Sequence, residues 1–269
     1  YTPRAADLFH IIPTDVGRPF EHLTHRLNYD GLVQDAQRVL DALVSYETEV
    51  EHDDGRWSIA RIAPYRTTDD RIDGVVLTFV DVTDLRTARD EAARRTRQQS
   101  VVAAIGVTAL EGCDLPTLFH MACVRTTEAL GVELGKVLRY RGDDLVVEAG
   151  VGWLDGAVGR ATAPADAGSQ AGYTLLSEGP VVVPDLSLET RFEAPPLLTD
   201  NGVRSGISAA IAGPSGQPYG VLGIHSRMPQ SFSSDDGDFV QAVANVLGDA
   251  VQRASSEETI RMQLAEIEA

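Results

Sequence analysis

Three residues near the middle of the chain, Cys113, His120 and Cys123, are of types that bind zinc or iron. Their steps of seven and three residues are steps that one helix face can gather. However, "DLP" at 114–116 starts a helix after Cys113, because Asp is a good N-cap and Pro suits the first turn. His120 and Cys123 then join Leu115, Leu118 and Phe119 on an apolar stripe, so the spacing predicts core packing and no metal. His225 in "LGIHS" offers a nitrogen of the kind that ligates haem, but strand alternation sets it opposite Ile224 and predicts a packed sheet position. No paired carboxylates, Ser-His-Asp order, phosphate-cradling Gly loop or zinc-deaminase-like spacing stands out, so no catalytic residue is predicted.

The bulk properties narrow the classes further. A chain of 269 residues holds two domains of ordinary size, and its hydrophobic share of 43% and charged share of 23% are those of a globular protein. No apolar run approaches the roughly eighteen residues a membrane span needs. A start at Tyr1 without Met suggests an excised fragment. The net charge of -17 repels phosphate backbones, which argues against a nucleic-acid partner. Two cysteines make no disulfide framework, in keeping with a cytoplasmic location.

The elements follow from periodicity. "YETEVEH", "RWSIARIAPYR" and "RIDGVVLTFVDV" read as three antiparallel strands separated by "DDG" and "TTDD", after short helices around "TPRAADLF" and "LVQDAQRVLDAL". The third strand runs without Gly or Pro into a charged helix from Asp84 to Leu110, roughly 40 Å long. Thr83 is its expected N-cap, with Asp84 in the first turn. A second α/β unit follows: helix "DLPTLFHMACVRTTEAL", strands "GKVLRYR" and "DLVVEAGVG", a helix around "GSQAGYTLLSEG", strand "PVVVPDL", and the hairpin "SGISAAIAG" and "YGVLGIHS". One long helix closes the chain, with a 3-4 series running Phe239, Val243, Val246, Ala250, Arg253, Glu257, Ile260, Leu264 and Ile267.

"DGVVLTFVDVTDL", the preceding "DGRWSIARIAPYRTTDDRIDG" and the earlier "IIPTDVGRP" resemble a PAS domain of the kind found in chemotaxis fusions and hybrid sensor kinases. The resemblance covers residues 1 to about 83 and lacks the family's N-terminal strands, which implies a partial PAS-like domain. The family's terminal Asp-x-Thr falls on Asp81 and Thr83; with Leu85 they are the expected signal relay. Residues 100 to 252 resemble a GAF domain through "LEGCDLPTLFHMAC", "EAGVGW", "VVVPDLS" and "YGVLGIHSRMPQSFSSDDGDFVQAVANVLGDAVQR". That resemblance places Trp153, Tyr173, Phe192 and Arg204 in segments that face a GAF cavity, where they would hold a small anionic or planar ligand.

No cofactor is expected. A bilin needs a cysteine, absent from Val181 to Ser226, and the phytochrome segment Pro-Ala-Ser-Asp-Ile-Pro is missing. Cyclic-nucleotide GAF domains pair Asn with Lys, whereas Asn201 is followed by Gly. "LTHRLNY", with His25, resembles a kinase phosphoacceptor segment but has no ATP lid beside it, so His25 is read as a surface residue on a short helix.

The expected architecture is α+β, with two sensory domains built on antiparallel sheets. A PAS-like domain at 1–83 is followed by a connector helix at 84–111, a GAF domain at 112–252 whose first helix begins near 100, and an exit helix at 253–269. The implied function is the sensory part of a sensor histidine kinase, a parallel homodimer through helices 84–110 and 236–269 that relays a cue to an output domain after Ala269. On the 3-4 series from Leu85 the connector carries Ala92, Thr96 and Gln99, too polar for a tight coiled coil and suited to switching between packings. Other outputs, namely a diguanylate cyclase, a phosphatase or a chemotaxis methyltransferase, and a ligand-free dimerisation scaffold are the alternatives.

Overall fold

A computed structural model describes residues 1–268 and divides into two compact units, the first ending at Ala92 and the second beginning at Ala93. The first unit opens with α1 (Pro3–Leu8), capped by the Thr2 hydroxyl, which accepts from the Ala5 amide at 3.3 Å. Helix α2 (Leu32–Ala42) precedes a three-stranded antiparallel sheet, β1 (Tyr46–Glu51), β2 (Trp57–Arg66) and β3 (Ile72–Asp81), in that order. The three strands fall where alternation and Asp/Gly turns predict them. The amphipathic α2 lays Leu32, Ala36 and Val39 against Val50, Ala60 and Ile62, with Phe9 and Leu27 completing the core. His25 sits in a loop, half-buried and edge-on to Phe9 at 5.8 Å between ring centroids, so the short surface helix expected for it is absent.

Helix α3 (Thr83–Leu110) begins directly after β3. In the second unit the elements run α4 (Leu115–Leu130), β4 (Leu134–Arg141), β5 (Asp144–Val151), β6 (Thr162–Pro164), α5 (Gln170–Leu175), β7 (Val181–Val183), α6 (Pro196–Thr199), β8 (Ser205–Ala212), β9 (Pro218–Ser226) and α7 (Ser234–Glu268). All six strands form one antiparallel sheet in the order β6-β5-β4-β9-β8-β7. On one face Val137, Ile207, Ala209, Leu222 and Ile224 form a core with α4, with α7 and with Ile105 and Ala109 near the end of α3. The other face carries Leu134, Lys136, Leu138, Ser208, Val221, Gly223 and His225.

Asp114 caps α4 as predicted, its carboxylate accepting from the Thr117 amide. The buried stripe of α4 is Leu118, Phe119, Ala122 and Cys123, two i,i+4 pairs; His120 lies outside it and is exposed, against the packing expected for it. Among the described residues no group of three or more His, Cys, Asp or Glu is placed to hold a metal ion, and no helix is long and apolar enough to cross a membrane. Along α7 the 3-4 series divides. Phe239, Val243 and Ala250 are buried in the domain core, whereas Ile260, Leu264 and Ile267 are exposed. Ala269, the last residue of the expected helix, lies outside the described residues.

Gly152 turns the chain out of β5 with φ of +80°, and a Cβ there would stand 2.1 Å from the Glu133 carbonyl oxygen. Gly152→Ala is expected to destabilise the second unit by more than about 1 kcal/mol, read as a lower midpoint in thermal or urea unfolding.

Candidate functional site

Lys136 lies in the middle of β4, on the sheet face away from α4 and α7. It is the one lysine of the chain, the other basic residues being arginines, and it is only 4% exposed. Strand register explains how so long a side chain fits. Lys136 pairs with Gly150 of β5 on one side and Gly223 of β9 on the other, and Gly223 in turn pairs with Ser208 of β8. Neither glycine has a side chain to fill the space beside the lysine stem. Trp153 occupies the room over Gly150, where a Cβ would stand 2.9 Å from its ring, and is fixed by donating its indole N–H to the Gly135 carbonyl at 2.7 Å. The Lys136 Nζ stands 4.6 Å from the centre of that ring.

His225 closes the other side. It pairs with Gly206 of β8, and its ring spreads over both Gly206 and Gly223: a Cβ on Gly206 would stand 2.4 Å from Nδ1, and one on Gly223 2.8 Å from Nε2. The latter Cβ would also stand 3.2 Å from Lys136 Cε, so the histidine and the lysine share the space above Gly223. The Trp153 and His225 rings meet edge-on at 5.6 Å. Both ring nitrogens of His225, which is 1% exposed, lack a hydrogen-bond partner. Around this point is a narrow cavity of about 10 Å³, lined also by Gln170, Ser208 and Leu198, at the lower limit of what one water molecule needs.

The electrostatics follow from burial. No carboxylate pairs with Lys136 among the described residues, and loss of hydration pushes its amine down to about 7. An ammonium over an indole face gains about 0.5–2 kcal/mol, whereas removing an ion from water costs several, so desolvation wins. His225 is held well below its usual value by burial and then by the lysine charge, which leaves it a neutral imidazole. Cys123, behind the sheet, has its thiol pushed up to about 12 by burial and is no nucleophile.

The four residues that the GAF resemblance selects do not converge. Trp153 walls the lysine niche; Tyr173 and Phe192 pack on each other at 5.5 Å beside Val181 and Val183. Arg204 is largely exposed and reaches both carboxylate oxygens of Asp185 at 3.2 Å. Asn201 is a structural clamp, accepting from the Leu154 amide at 2.8 Å and donating to the Leu197 carbonyl at 2.9 Å. Lys136 was not among the predicted residues, and the signal that marks it is compositional: one lysine in an otherwise arginine-only chain, on a strand.

The expected relay residues sit at the end of β3. The Asp81 carboxylate accepts from both the amide and the hydroxyl of Thr83, at 3.0 and 2.7 Å. Thr83 Oγ also accepts from the Trp57 amide at 2.9 Å, and the Val82 amide donates to the Trp57 carbonyl. The hydroxyl therefore ties the helix start to β2 and does not serve as the expected N-cap. Arg86, one turn on, lays its guanidinium 3.6 Å from the centre of the Trp57 ring and pairs with Glu49. Leu85 points outward, 69% exposed.

Within the second unit, α3 is fastened to α7 at two places. Arg94 and Gln98 both donate to Asp236 Oδ1, at 2.6 and 2.8 Å, while Asp236 Oδ2 accepts from the amide and hydroxyl of Ser233. Farther along, Arg253 donates to the Ala109 carbonyl at 2.9 Å.

The sequence profile of the GAF domain family matches residues 114–251, just over half of the chain. The chain belongs to the GAF domain family. Ahead of the GAF domain, a PAS domain profile matches residues 1–83, so the order is PAS then GAF. An uncharacterised 104.1 kDa protein from the hypE 3′ region of Rhodobacter capsulatus is 44% identical over 86 residues, 32% of this chain and 9% of that protein. The GAF domain of a phosphoenolpyruvate-protein phosphotransferase from Coxiella burnetii is similar in structure, with a TM-score of 0.55 at 17% identity, covering 61% of this chain and 98% of that one. Free methionine-R-sulfoxide reductase from Neisseria meningitidis, solved with its substrate, gives 0.51 at 20% identity over 60% and 91%. The phycoerythrobilin-bound GAF domain of a cyanobacterial phytochrome gives 0.50 at 20% identity over 60% and 97%. At these identities the likeness is one of fold.

An unfolded lysine titrates near 10.5 and this one near 7. Between those values the unfolded chain holds the extra proton, so the lysine's penalty is complete below pH 7 and fades as pH rises toward 10.5. Lys136→Met, of similar length and uncharged, is expected to be more stable than the parent at pH 7. The margin should shrink by at most about 1.4 kcal/mol per pH unit on going to pH 10, measured by chemical denaturation across that range.

Proposed function

We propose that this PAS–GAF chain is a non-catalytic sensory part of a cytoplasmic signalling protein, in which helix α3 carries the state of a sensory sheet toward an output domain. The observation that carries this reading is the junction at Asp81 and Thr83. Strand β3 enters α3 without a glycine or proline, and the Asp81–Thr83–Trp57 bonds pin the first turn to β2. A rotation or tilt imposed on that sheet has no flexible hinge in which to dissipate. The hold of Arg94 and Gln98 of α3 on Asp236, and of Arg253 of α7 on the Ala109 carbonyl, supports a matching link between the two helices.

A sensor histidine kinase is the output that the PAS resemblance favours; a diguanylate cyclase, phosphatase or chemotaxis methyltransferase would use the same input. Pairing with a second copy in parallel is supported by the end of α7. There Ile260, Leu264 and Ile267 repeat at steps of four and three and face solvent, as the seam of a coiled coil does before its partner is bound.

Inserting one to four residues between Arg89 and Asp90 of the full-length protein is expected to change output with the rotational phase of α3, losing it at two residues and regaining it toward four. Output that ignores phase would exclude the relay. Leu264→Asp is expected to shift the chain from dimer to monomer in sedimentation velocity.

A further inference from the structure

The sensory reading leaves open what the GAF domain senses, and the niche around Lys136 narrows it. We propose that this niche binds a monatomic monovalent anion, a halide, held between the Lys136 ammonium and an N–H of His225. The proposal deepens the sensory reading and rests on it for its regulatory meaning.

Four observations support the assignment. First, Lys136 is a buried cation-forming group without a carboxylate. The groups that face it are His225 from β9, Gln170 from α5, Ser208 from β8 and Trp153 after β5, none of which can carry a negative charge. Second, His225 is buried with both nitrogens unpartnered, and a neutral imidazole always has one N–H to donate. An anion would accept from that N–H and from the ammonium together, satisfying two groups that are otherwise costly to bury.

Third, the space is kept open by design of the sheet. A side chain at Gly223 would collide with His225 Nε2 and the lysine stem, so the glycine reserves the point where the two meet. Fourth, the volume of about 10 Å³ admits an occupant near the size of water and excludes a nucleotide or a tetrapyrrole. The neighbouring hydroxyls add no competing charge: Ser208 is already bonded to Thr174 at 2.7 Å and to Gln170 at 3.2 Å.

Binding requires the protonated amine, so it favours the charged lysine and is lost as pH rises. The test is isothermal titration calorimetry on the whole chain in sodium salts of the sulfonate buffers HEPES, TAPS and CHES, which together span the pH range and are too bulky to enter, with sodium fluoride, chloride and bromide as probes at constant ionic strength. Saturable heat is expected for at least one probe, with Kd rising about tenfold per pH unit between pH 8 and 10. Lys136→Met should abolish the heat, and His225→Phe, which keeps a ring and loses both nitrogens, should weaken binding about tenfold or more. Far-ultraviolet circular dichroism checks that each variant is folded, and an anomalous bromide peak between Nζ and the imidazole locates the ion independently. Binding of the smallest halide alone or of all three supports the proposal and reports the size limit. No saturable heat in the parent chain, or equal heat in Lys136→Met, overturns it and leaves the niche a water site. Neither readout involves the output domain, so an anion that binds while output ignores helix phase would sink the relay alone, and the reverse would sink the anion alone.

Discussion

Burial of an amine on a sheet face without a counter-charge is the constraint around which the GAF domain is arranged. A lysine in that position gives up its hydration and receives no counter-charge, a loss of several kcal/mol that the indole face of Trp153 offsets only in part. The sheet accommodates it through residues that would otherwise weaken strands. Gly150 and Gly223 flank it, Gly206 admits the His225 ring, and Gly152 makes the turn that delivers Trp153. A leucine at 136 between bulkier neighbours would pack such a face with less strain on the sequence. Natural proteins keep arrangements that cost stability where they serve function, and this is the place in the chain where local rules are broken most plainly.

The PAS end obeys the opposite logic. None of the bonds at Asp81, Thr83, Trp57 and Arg86 is strong by itself, since the charged partners stand in contact with water. Together they determine the direction in which α3 leaves the sheet, since amide, hydroxyl, carboxylate and guanidinium all converge on the first turn. Geometry, more than stability, is what such a junction contributes, and it is also what a relay needs.

How much of this was legible beforehand depends on the range of the interactions. The hairpins of the PAS sheet, the cap at Asp114 and the long helices are local, and alternation, Asp/Gly turns and 3-4 spacing reveal them. Strand β6, at three residues, is too short to show a period. His120 adjoins the α4 stripe in sequence, one position past the buried Phe119, and 3-4 spacing alone does not separate the edge of a stripe from its centre. Thr83 looked like a cap because its partner Trp57 is 26 residues away, beyond any local pattern. The lysine niche is the most non-local feature, assembled from residues 136, 150, 153, 208, 223 and 225 by strand register alone. Only the chain's use of a single lysine hinted at it.

That single lysine also makes the central claim open to direct measurement. Protein labelled with 15N at the lysine side chain gives one Nζ signal, and its titration by nuclear magnetic resonance reads the charge of Lys136 without interference. The account predicts an amine that titrates near 7 and shifts upward when a small anion is added. A midpoint near the ordinary 10.5, unmoved by anions, would contradict it.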